Sequence, residues 1–301
     1  MLLHISDTHF GTEQPAVMDA LLRLTDVHRP ELVVLSGDIT QRAKRSQFRA
    51  AREFVDRLNT PRTLAIPGNH DIPLFNIAAR LFWPYRNFLN EFESLTAEHE
   101  SSRLLVIALN TTRPSRHKNG VLSPKQIAET TERLRQARPG QLRVVVMHQP
   151  IAVEREQDEH DRIRGPVQEA VERWAEAGAD LVLGGHIHLP YVLPLFRPGV
   201  PLKRRLWAVQ AGTAVSARVR EGIPNSVNII RWGGVLPLGR CLIERWDYLA
   251  EAKAFGRARV TAVDTGWLPP PAPPMSVPPW DPLRRNSVPA VLNSTLRLGE
   301  S

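Results

Sequence analysis

The first two-thirds of the chain alternates short apolar runs with longer amphipathic segments, and this alternation restricts the fold more than any other feature. An apolar run between turn residues is typical of a buried strand, whereas apolar residues on one face, as at Met18, Leu21 and Leu22, indicate a helix. Strands that alternate with helices predict an α/β domain. The predicted strands are residues 2–6, 31–36, 62–66, 104–109, 142–147 and 181–184. The predicted helices are residues 16–28, 46–58 and 166–177 and one that begins at Ser123 and Pro124.

The pattern changes after His188. Residues 206–210, 226–232 and 241–248 read as consecutive strands joined by turns, so we expect a second, mainly antiparallel sheet. Residues 269–301 are rich in proline, which excludes a helix or a central strand, so this stretch is predicted to be an extended, partly disordered tail. We therefore divide the chain into a domain at 1–250 and a C-terminal extension at 251–301.

Composition excludes several classes of protein. No stretch approaches the roughly 20 apolar residues of a membrane helix, and the N-terminal run lacks the features of a signal peptide. We therefore expect a cytoplasmic protein without a membrane span. Cys241 is the only cysteine, which excludes an intrachain disulfide and a cysteine-rich metal site. Trp83, Trp207 and Trp232 are expected to be packing anchors.

The net charge is +8, and most of the positive charge comes from arginine. A basic surface attracts nucleic acid or another phosphate-bearing molecule. The arginines are also compatible with solvated helix faces, because they are scattered and form no long basic block. The scatter favours this second interpretation, and nucleic acid stays a secondary candidate partner.

Five short polar motifs each follow a predicted strand. In an open α/β sheet, ligands bind at the carboxyl ends of the strands, so the motifs are expected to converge in space. The motifs are Asp7-Thr8-His9, Gly37-Asp38, Gly68-Asn69-His70-Asp71, His148 and Gly185-His186-Ile187-His188.

The side chains of these motifs suit divalent metals. Carboxylate, imidazole and amide oxygen are ligands for Mn, Fe or Zn, and no thiolate is offered. In an extended chain, residues i and i+2 point to the same face, so Asp7 is expected to point with His9, and His186 with His188. Asp38 lies between the other motifs in the chain and could bridge two ions.

Each motif alone has a simpler interpretation. An Asp-x-His sequence at a strand end occurs by accident in many proteins, a lone His148 after a strand can be a core histidine, and residues 68–71 can be an ordinary turn. The joint occurrence of five motifs in this order indicates a metal site.

The motif set resembles that of the calcineurin-like metallophosphoesterases over residues 1–248. Ile5-Ser6-Asp7-Thr8-His9 and Leu35-Ser36-Gly37-Asp38-Ile39-Thr40-Gln41 most resemble the bacterial class III cyclic nucleotide phosphodiesterases. The resemblance implies an α/β fold of two facing mixed β-sheets flanked by helices, an αββα sandwich. It also implies two divalent metal ions, each of which could be Mn, Fe or Zn.

The resemblance assigns roles to individual residues. Asp38 would bridge the two metals, and His70 would be a catalytic residue outside the ligand set, near the substrate phosphate. The ligands of the first metal would be Asp7, His9 and His188, and those of the second Asn69, His148 and His186.

The implied reaction is hydrolysis of a phosphodiester by a metal-bridging hydroxide that attacks phosphorus in line. His70 would stabilise the developing charge or protonate the leaving oxygen. Asp71 could orient His70 or simply close the turn. Residues 110–112 could line the substrate cleft or form an ordinary loop exit.

Two departures refine the expected substrate. Asp38 is followed by Ile39-Thr40-Gln41-Arg42 and not by the Asp-Arg-Gly of protein serine/threonine phosphatases, which argues against a phosphoprotein substrate. Gln149 follows His148 where many cyclic nucleotide members carry a second histidine. We expect a small phosphodiester such as a cyclic nucleotide; the alternatives are a DNA repair-type nuclease, a general phosphomonoesterase and a metal-bound scaffold without turnover.

Overall fold

The central strands are apolar along their whole length because both of their faces are covered. In strand β1 (Leu2–Ile5), Leu2 packs into a core shared by two sheets, whereas Leu3 packs against helices on the opposite face. Val144 and Val145 of a later strand divide in the same way. Since successive side chains of a strand point to opposite faces, strands buried on both sides read as continuous apolar runs.

The computed structural model describes residues 1–196, 202–234, 236–237 and 239–267. Within this part of the chain the strands form two six-stranded sheets and one two-stranded ribbon. The strands of the first sheet are β1, β2 (Leu32–Leu35), β3 (Thr63–Ala65), β11 (Ser226–Trp232), β12 (Arg240–Leu249) and β13 (Ala254–Asp264). Their order is β13-β12-β11-β1-β2-β3; β1, β2 and β3 are parallel, and the remaining neighbours are antiparallel.

The second sheet is also mixed. Its strands are β4 (Ala97–Glu100), β5 (Leu104–Ala108), β6 (Leu142–Val146), β7 (Leu181–Gly184), β8 (Tyr191–Pro194) and β10 (Trp207–Gln210). Their order is β4-β5-β6-β7-β10-β8, with parallel pairs from β5 to β10 and an antiparallel strand at each edge. The separate ribbon pairs β9 (Arg204–Arg205) with β14 (Gly266–Trp267).

Helices cover the outer faces of the two sheets. α1 (Pro15–His28) and α2 (Arg45–Arg57) share an apolar core with β1 and β2. α5 (Pro124–Arg135) and α6 (Val167–Glu176) share another core with β5 and β6. The shorter helices are α3 (Ile77–Phe82), α4 (Arg86–Phe92) and the 3₁₀ turns Asn69–Asp71 and Glu156–Asp161.

The layers are therefore helix, sheet, sheet and helix, which confirms the expected αββα sandwich of two facing mixed β-sheets. A core with residues of both sheets, such as Val34 and Val106, lies between them. The start of α5 also follows its sequence signal, because the Ser123 side chain accepts a hydrogen bond from the Gln126 backbone N–H and Pro124 occupies the first turn.

The expectation of a separate antiparallel sheet after His188 is wrong. β10 joins the second sheet and runs parallel to β7. β11 and β12 extend the first sheet beyond β1, with β11 antiparallel to β1. The strand β11 thus pairs with the first strand of the chain, a long-range contact that no local pattern reports.

The C-terminal boundary of the fold differs from the division drawn at residue 250. β13 pairs along its length with β12, and one compact unit extends over Met1–Leu268. The strand β13 thus belongs to the first sheet, although it falls in the stretch assigned to an extension. The role of residues 251–301 as an extension stays a prediction, and the predicted proline-rich tail lies outside the described residues.

The surface differs from expectation at α3. Trp83, expected as a packing anchor, is 59% exposed, and Phe75, Ile77, Leu81 and Phe82 near it are exposed as well. No residue of α3 is buried. In the part of the chain that the structure describes, no helix combines the length and apolar character needed to cross a bilayer.

Candidate metal centre

The five polar motifs follow β1, β2, β3, β6 and β7, and the structure brings all five loops into contact at one end of the sandwich. The backbone N–H of His186 donates to Asp7 Oδ2 at 3.0 Å, which joins the loop after β7 to the loop after β1. His148 Nδ1 lies 2.9 Å from the Ser36 carbonyl, which joins the loop after β6 to β2. The site therefore draws three loops from the first sheet and two from the second.

Four side chains form a first cluster of ligand atoms. His9 Nε2 lies 3.1 Å from His188 Nε2 and 3.8 Å from Asp7 Oδ1, and His188 Nε2 lies 3.4 Å from Asp7 Oδ1. Asp38 Oδ2 completes the group at 3.8 Å from His9 Nε2. One atom from each residue lies within 4.8 Å of the others, so a single ion could contact all four.

A second cluster contains His148, His186, Asn69 and the same Asp38. One ligand atom each from Asp38, His148 and His186 lies within 4.8 Å of the others. His148 Nε2 is 3.3 Å from Asp38 Oδ1 and 3.3 Å from Asn69 Oδ1. The amide oxygen of Asn69 thus points at the same place as the imidazole nitrogen and the carboxylate.

Asp38 is the residue that the two clusters share. Its Oδ2 faces His9 in the first cluster, and its Oδ1 faces His148 in the second. A carboxylate that presents one oxygen to each of two ligand groups has the arrangement required of a bridge between two ions.

The backbone at the site is left-handed and not extended. The φ angle is positive at Asp7 (53°), His9 (40°), Asp38 (49°), His186 (75°) and His188 (61°). The chain turns tightly where it leaves the sheet, so the expectation of an extended backbone is wrong. Asp7 and His9 nevertheless share the first cluster as expected, whereas His186 and His188 lie in different clusters. Positive φ is uncommon for residues other than glycine and stores strain, and such strain concentrates at functional sites.

Two glycines make room for this crowding. A Cβ at Gly37, whose φ is +99°, would lie 2.5 Å from Nδ1 of His148. A Cβ at Gly185 would lie 1.8 Å from Oγ of Ser6. Both positions therefore require glycine so that the loops can approach each other.

The buried carboxylates of the site carry negative charge. Burial favours a raised pKa for Asp38, but His148 and His70 outweigh burial and hold this pKa well below its ordinary value. For Asp7, His188 likewise outweighs burial, and the pKa is lowered. Burial alone would lower the pKa of His148, yet Asp38 and Asp7 raise it to about 9. Two ionised carboxylates side by side in a buried site require positive charge next to them, which divalent cations supply.

The hydrogen bonds of the histidines show how well the residues fit a pair of metals. His148 Nδ1 faces the Ser36 carbonyl, and His188 Nδ1 lies 2.5 Å from the Arg218 carbonyl, so in both rings Nδ1 keeps its proton and Nε2 is the nitrogen that would offer its lone pair to a metal. His186 is reversed. Its buried Nδ1 has no hydrogen-bond partner among the described residues, and its Nε2 lies 3.7 Å from Asp161 Oδ1. A metal ion would satisfy this orphaned nitrogen.

His70 lies beside the clusters and not within them. Its backbone N–H donates to Asp38 Oδ1 at 2.8 Å, and its ring Nδ1 lies 3.1 Å from the Gln41 carbonyl. Its Nε2 lies 3.1 Å from Nη1 of Arg218. A carbonyl only accepts and a guanidinium only donates, so Nδ1 carries the proton and Nε2 is an acceptor. The catalytic role of His70 stays a prediction.

Asp71 closes the turn, which was one of its two expected roles. Its Oδ2 accepts from the backbone N–H groups of Ile39 and Gly68, and its Oδ1 accepts from the backbone and hydroxyl of Thr40. None of these bonds goes to the His70 ring. Asp71 therefore ties the loop after β3 to the loop after β2.

Three residues near the site were not singled out from the sequence as site residues. They are Gln41, which ends the motif at residues 35–41, and Asp161 and Arg218, which belong to none of the motifs. Asp161 lies beside His186 in a 3₁₀ turn, and Arg218 follows β10. The charge of the chain gave no signal for Arg218, because arginines are scattered throughout.

Gln149, which follows His148 where many cyclic nucleotide members carry a second histidine, is buried and connects neighbouring loops. Thr111 Oγ1 donates to Gln149 Oε1 at 2.7 Å, and Gln149 Nε2 donates to the Lys118 carbonyl at 3.1 Å. Thr112 donates from its backbone and hydroxyl to Asn110 Oδ1, so residues 110–112 form a turn, which also contacts Tyr85 and Gln126. These contacts hold the loop 113–119 in place.

Known proteins share this fold and part of this sequence. The model of the calcineurin-like phosphoesterase family matches residues 1–190. A stretch of 82 residues is 35% identical to the glycerophosphodiester phosphodiesterase GpdQ of Enterobacter lignolyticus (strain SCF1); it covers 24% of this chain and 29% of that protein. The chain thus spans less than a third of that relative.

Two solved structures share the fold at low sequence identity. Purple acid phosphatase PPD1 of yellow lupin (Lupinus luteus) superposes with a TM-score of 0.64 at 12% identity, over 87% of this chain and 53% of the lupin chain. A dimetal phosphatase of Danio rerio gives a TM-score of 0.59 at 11% identity, over 87% of this chain and 98% of its own. The match of the family model to more than half of the sequence, together with this fold and the two ligand clusters, shows that the chain belongs to the calcineurin-like phosphoesterases.

Proposed function

We propose that this protein is a phosphodiesterase that uses two divalent metal ions to hydrolyse cyclic nucleotides or related small diesters. Asp38 would bridge the ions, and Mn, Fe or Zn would suit the nitrogen and oxygen ligands. The first ion would be held by Asp7, His9 and His188, and the second by Asn69, His148 and His186.

One observation carries the proposal, namely that the two carboxylate oxygens of Asp38 face two separate clusters of ligand atoms. A single structural ion needs no shared carboxylate. Cys241, the one residue that could offer a thiolate, is buried in the core between the sheets and is absent from both clusters. The donor set therefore contains nitrogen and oxygen only.

The chemistry follows from charge. Anionic oxygens of a phosphate ester repel a nucleophile, and two divalent ions would neutralise this charge and lower the pKa of a bound water. The chain contributes a rigid frame, because Asp71 locks the loops that carry Asp38 and Asn69. Asp161 would hold the His186 ring so that its free nitrogen faces the second ion.

Diester specificity rests on likeness to other proteins. The partly identical relative is described as a phosphodiesterase, and residues 35–41 resemble the class III cyclic nucleotide enzymes. The loops at 71–85 and 113–119 flank His70 and are expected to select the substrate. Arg80 links these two loops, since its guanidinium donates to the carbonyls of Pro73 and Arg116.

The test is a substrate panel with purified protein and defined metals. The panel contains bis(p-nitrophenyl) phosphate, p-nitrophenyl phosphate, cyclic AMP and single-stranded DNA, each with Mn, Fe or Zn. We expect hydrolysis of the aryl diester and of cyclic AMP at a higher kcat/KM than of the monoester or DNA. Preferred hydrolysis of the monoester or of DNA would overturn the diester proposal in favour of that alternative.

A matched pair of variants tests whether the measured hydrolysis arises at this site or from a contaminating enzyme. His148→Gln removes a histidine from the second cluster, and His99→Gln removes a histidine from the edge strand β4. We expect the first variant to lose hydrolysis and the second to keep it. Equal activity in both variants would show that the measured hydrolysis does not arise at this site.

A further inference from the structure

An arginine that belongs to none of the motifs reaches into the site. Nη1 of Arg218 lies 3.1 Å from His70 Nε2 and 3.2 Å from Gln41 Oε1. It also lies 3.4 Å from His9 Nδ1. If His9 Nε2 contacts a metal, its Nδ1 carries the proton and cannot accept a hydrogen bond, so His70 and Gln41 are the acceptors that hold the guanidinium.

Among the described residues, no carboxylate lies within ion-pair distance of the Arg218 guanidinium, and the atoms that accept from it are an imidazole nitrogen and an amide oxygen. Arg220, two residues further along the same loop, donates to Asp158 Oδ1 at 2.7 Å and lies 3.2 Å from Glu221 Oε1. An arginine that only stabilises the loop would be expected to make an ion pair of this kind. Arg218 is half-buried and keeps donor groups for another ligand.

The backbone around Arg218 is fixed to the loop that carries the first motif. The N–H groups of Ala214 and Ala217 donate to the carbonyls of Ser6 and Thr12 at 3.0 Å and 2.9 Å. The Arg218 carbonyl accepts from Thr213 Oγ1 at 2.9 Å and lies 2.5 Å from His188 Nδ1. The residue that orients one proposed metal ligand through its carbonyl therefore presents its side chain to the site from a preorganised loop.

We propose that the guanidinium of Arg218 binds a non-bridging phosphate oxygen of the substrate, and that His70 and Gln41 position it. A guanidinium keeps its charge at all working pH values, and its planar donors match phosphate oxygens. His70 acts through Arg218, because its Nε2 faces the guanidinium at 3.1 Å and holds it in place. This inference rests on the proposed function, since it concerns the same site and a phosphate-bearing substrate.

The direct test is calorimetric titration of the Mn-loaded protein with inorganic phosphate. Arg218→Met removes the guanidinium, and Arg240→Met, whose arginine pairs with exposed Asp264, is the matched control for loss of one positive charge. We expect about 10- to 100-fold weaker phosphate binding for Arg218→Met, the range for a hydrogen bond to a charged group, with unchanged metal content. The control should stay within about twofold of wild type, as expected for a screened charge at the surface.

Two further variants protect the test against misfolding. Gln41→Glu leaves Arg218 in place but gives it a carboxylate partner, so phosphate binding should weaken as it does in Arg218→Met. Arg218→Lys keeps the charge without the planar donors and should bind with intermediate affinity. Phosphate binding of wild-type strength in both Arg218→Met and Gln41→Glu, with metal retained, would overturn the proposal.

The role of His70 is tested by a double-mutant cycle on phosphate affinity. If His70 only positions Arg218, His70→Ala should weaken binding in the wild-type background and have less than about a threefold effect in Arg218→Met. Effects that multiply in the double variant would show that His70 acts independently. The titration does not depend on turnover. Failure of the protein to hydrolyse any ester would therefore refute the proposed function, whereas the titration would still decide whether Arg218 binds phosphate.

Discussion

The metal-facing and the substrate-facing sides of the site are built in different ways. The metal-facing side consists of side chains at the ends of buried parallel strands, and Asp7, His9, Asp38 and His148 are completely or almost completely inaccessible to solvent. The substrate-facing side consists of His70, Gln41 and Arg218, which are half-buried. The cores of both sheets hold the first group, whereas hydrogen bonds between loops hold the second. We therefore expect variants of the two sides to fail differently, the first by losing metal and the second by losing turnover or phosphate binding.

The largest effect is expected at the residue that the two clusters share. Asp38→Asn removes the charge that faces both clusters and should lower metal content as well as kcat/KM. The loss should exceed the 10- to 100-fold that typically follows removal of a group supporting a metal ligand. Metal analysis by mass spectrometry and diesterase kinetics measure it. A variant with two bound metals and near-normal kinetics would show that Asp38 is not required as a bridge between the ions.

A smaller effect without metal loss is expected on the other side. His70→Ala should keep two metals and lose at most about 10- to 100-fold in kcat/KM, the range expected for loss of the Arg218 contact, because the guanidinium loses an acceptor that holds it. The measurement is turnover of bis(p-nitrophenyl) phosphate with metal content checked in the same sample. Loss of metal from this variant would contradict the assignment of His70 to the substrate-facing side.

Asp71 tests whether a neighbour of His70 belongs to the fold or to catalysis. Its carboxylate accepts four hydrogen bonds, from Gly68, Ile39 and two groups of Thr40. Asp71→Ala should lower the free energy of unfolding by about 2–4 kcal/mol, since buried donors lose their partner. Urea denaturation measures this change. A variant of wild-type stability with impaired turnover would instead indicate the orienting role towards His70.

The smallest effect is expected at Asp161. Its carboxylate faces His186 Nε2 at 3.7 Å, too far for a hydrogen bond but suited to orient the ring. Asp161→Asn should weaken binding of one of the two ions by about tenfold and leave the other unchanged. Metal titration resolves the two binding events. Equal weakening of both would show that Asp161 does not act through His186 alone.

The same contrast explains what the sequence could reveal. Residues that end buried strands are recognisable because an apolar run with polar residues after it has a local signature, and this located the loops of Asp7, Asp38 and His148. The turns themselves escaped, because left-handed backbone at residues such as Asp7 and His186 has no local signature outside glycine. Arg218 escaped because it approaches the site only through long-range contacts to β1 and its loop.

Sheet membership shows the same limit. The strands 226–232 and 241–248 were located correctly to within a residue, since a run rich in strand-forming residues between turns is a local signal. Their assignment to a separate sheet was wrong, since β11 pairs with β1 more than 200 residues away in the chain. The αββα architecture itself was accessible only through the resemblance to a family, and the structure confirms it.

The central claim is a pair of metal ions that share Asp38. Anomalous scattering from crystals grown with Mn measures this directly, because each bound ion gives a separate peak. We expect two peaks about 3.5–4 Å apart, each in contact with one oxygen of Asp38, with Arg218 outside the coordination shells. A single peak, or two peaks of which only one contacts Asp38, would contradict it.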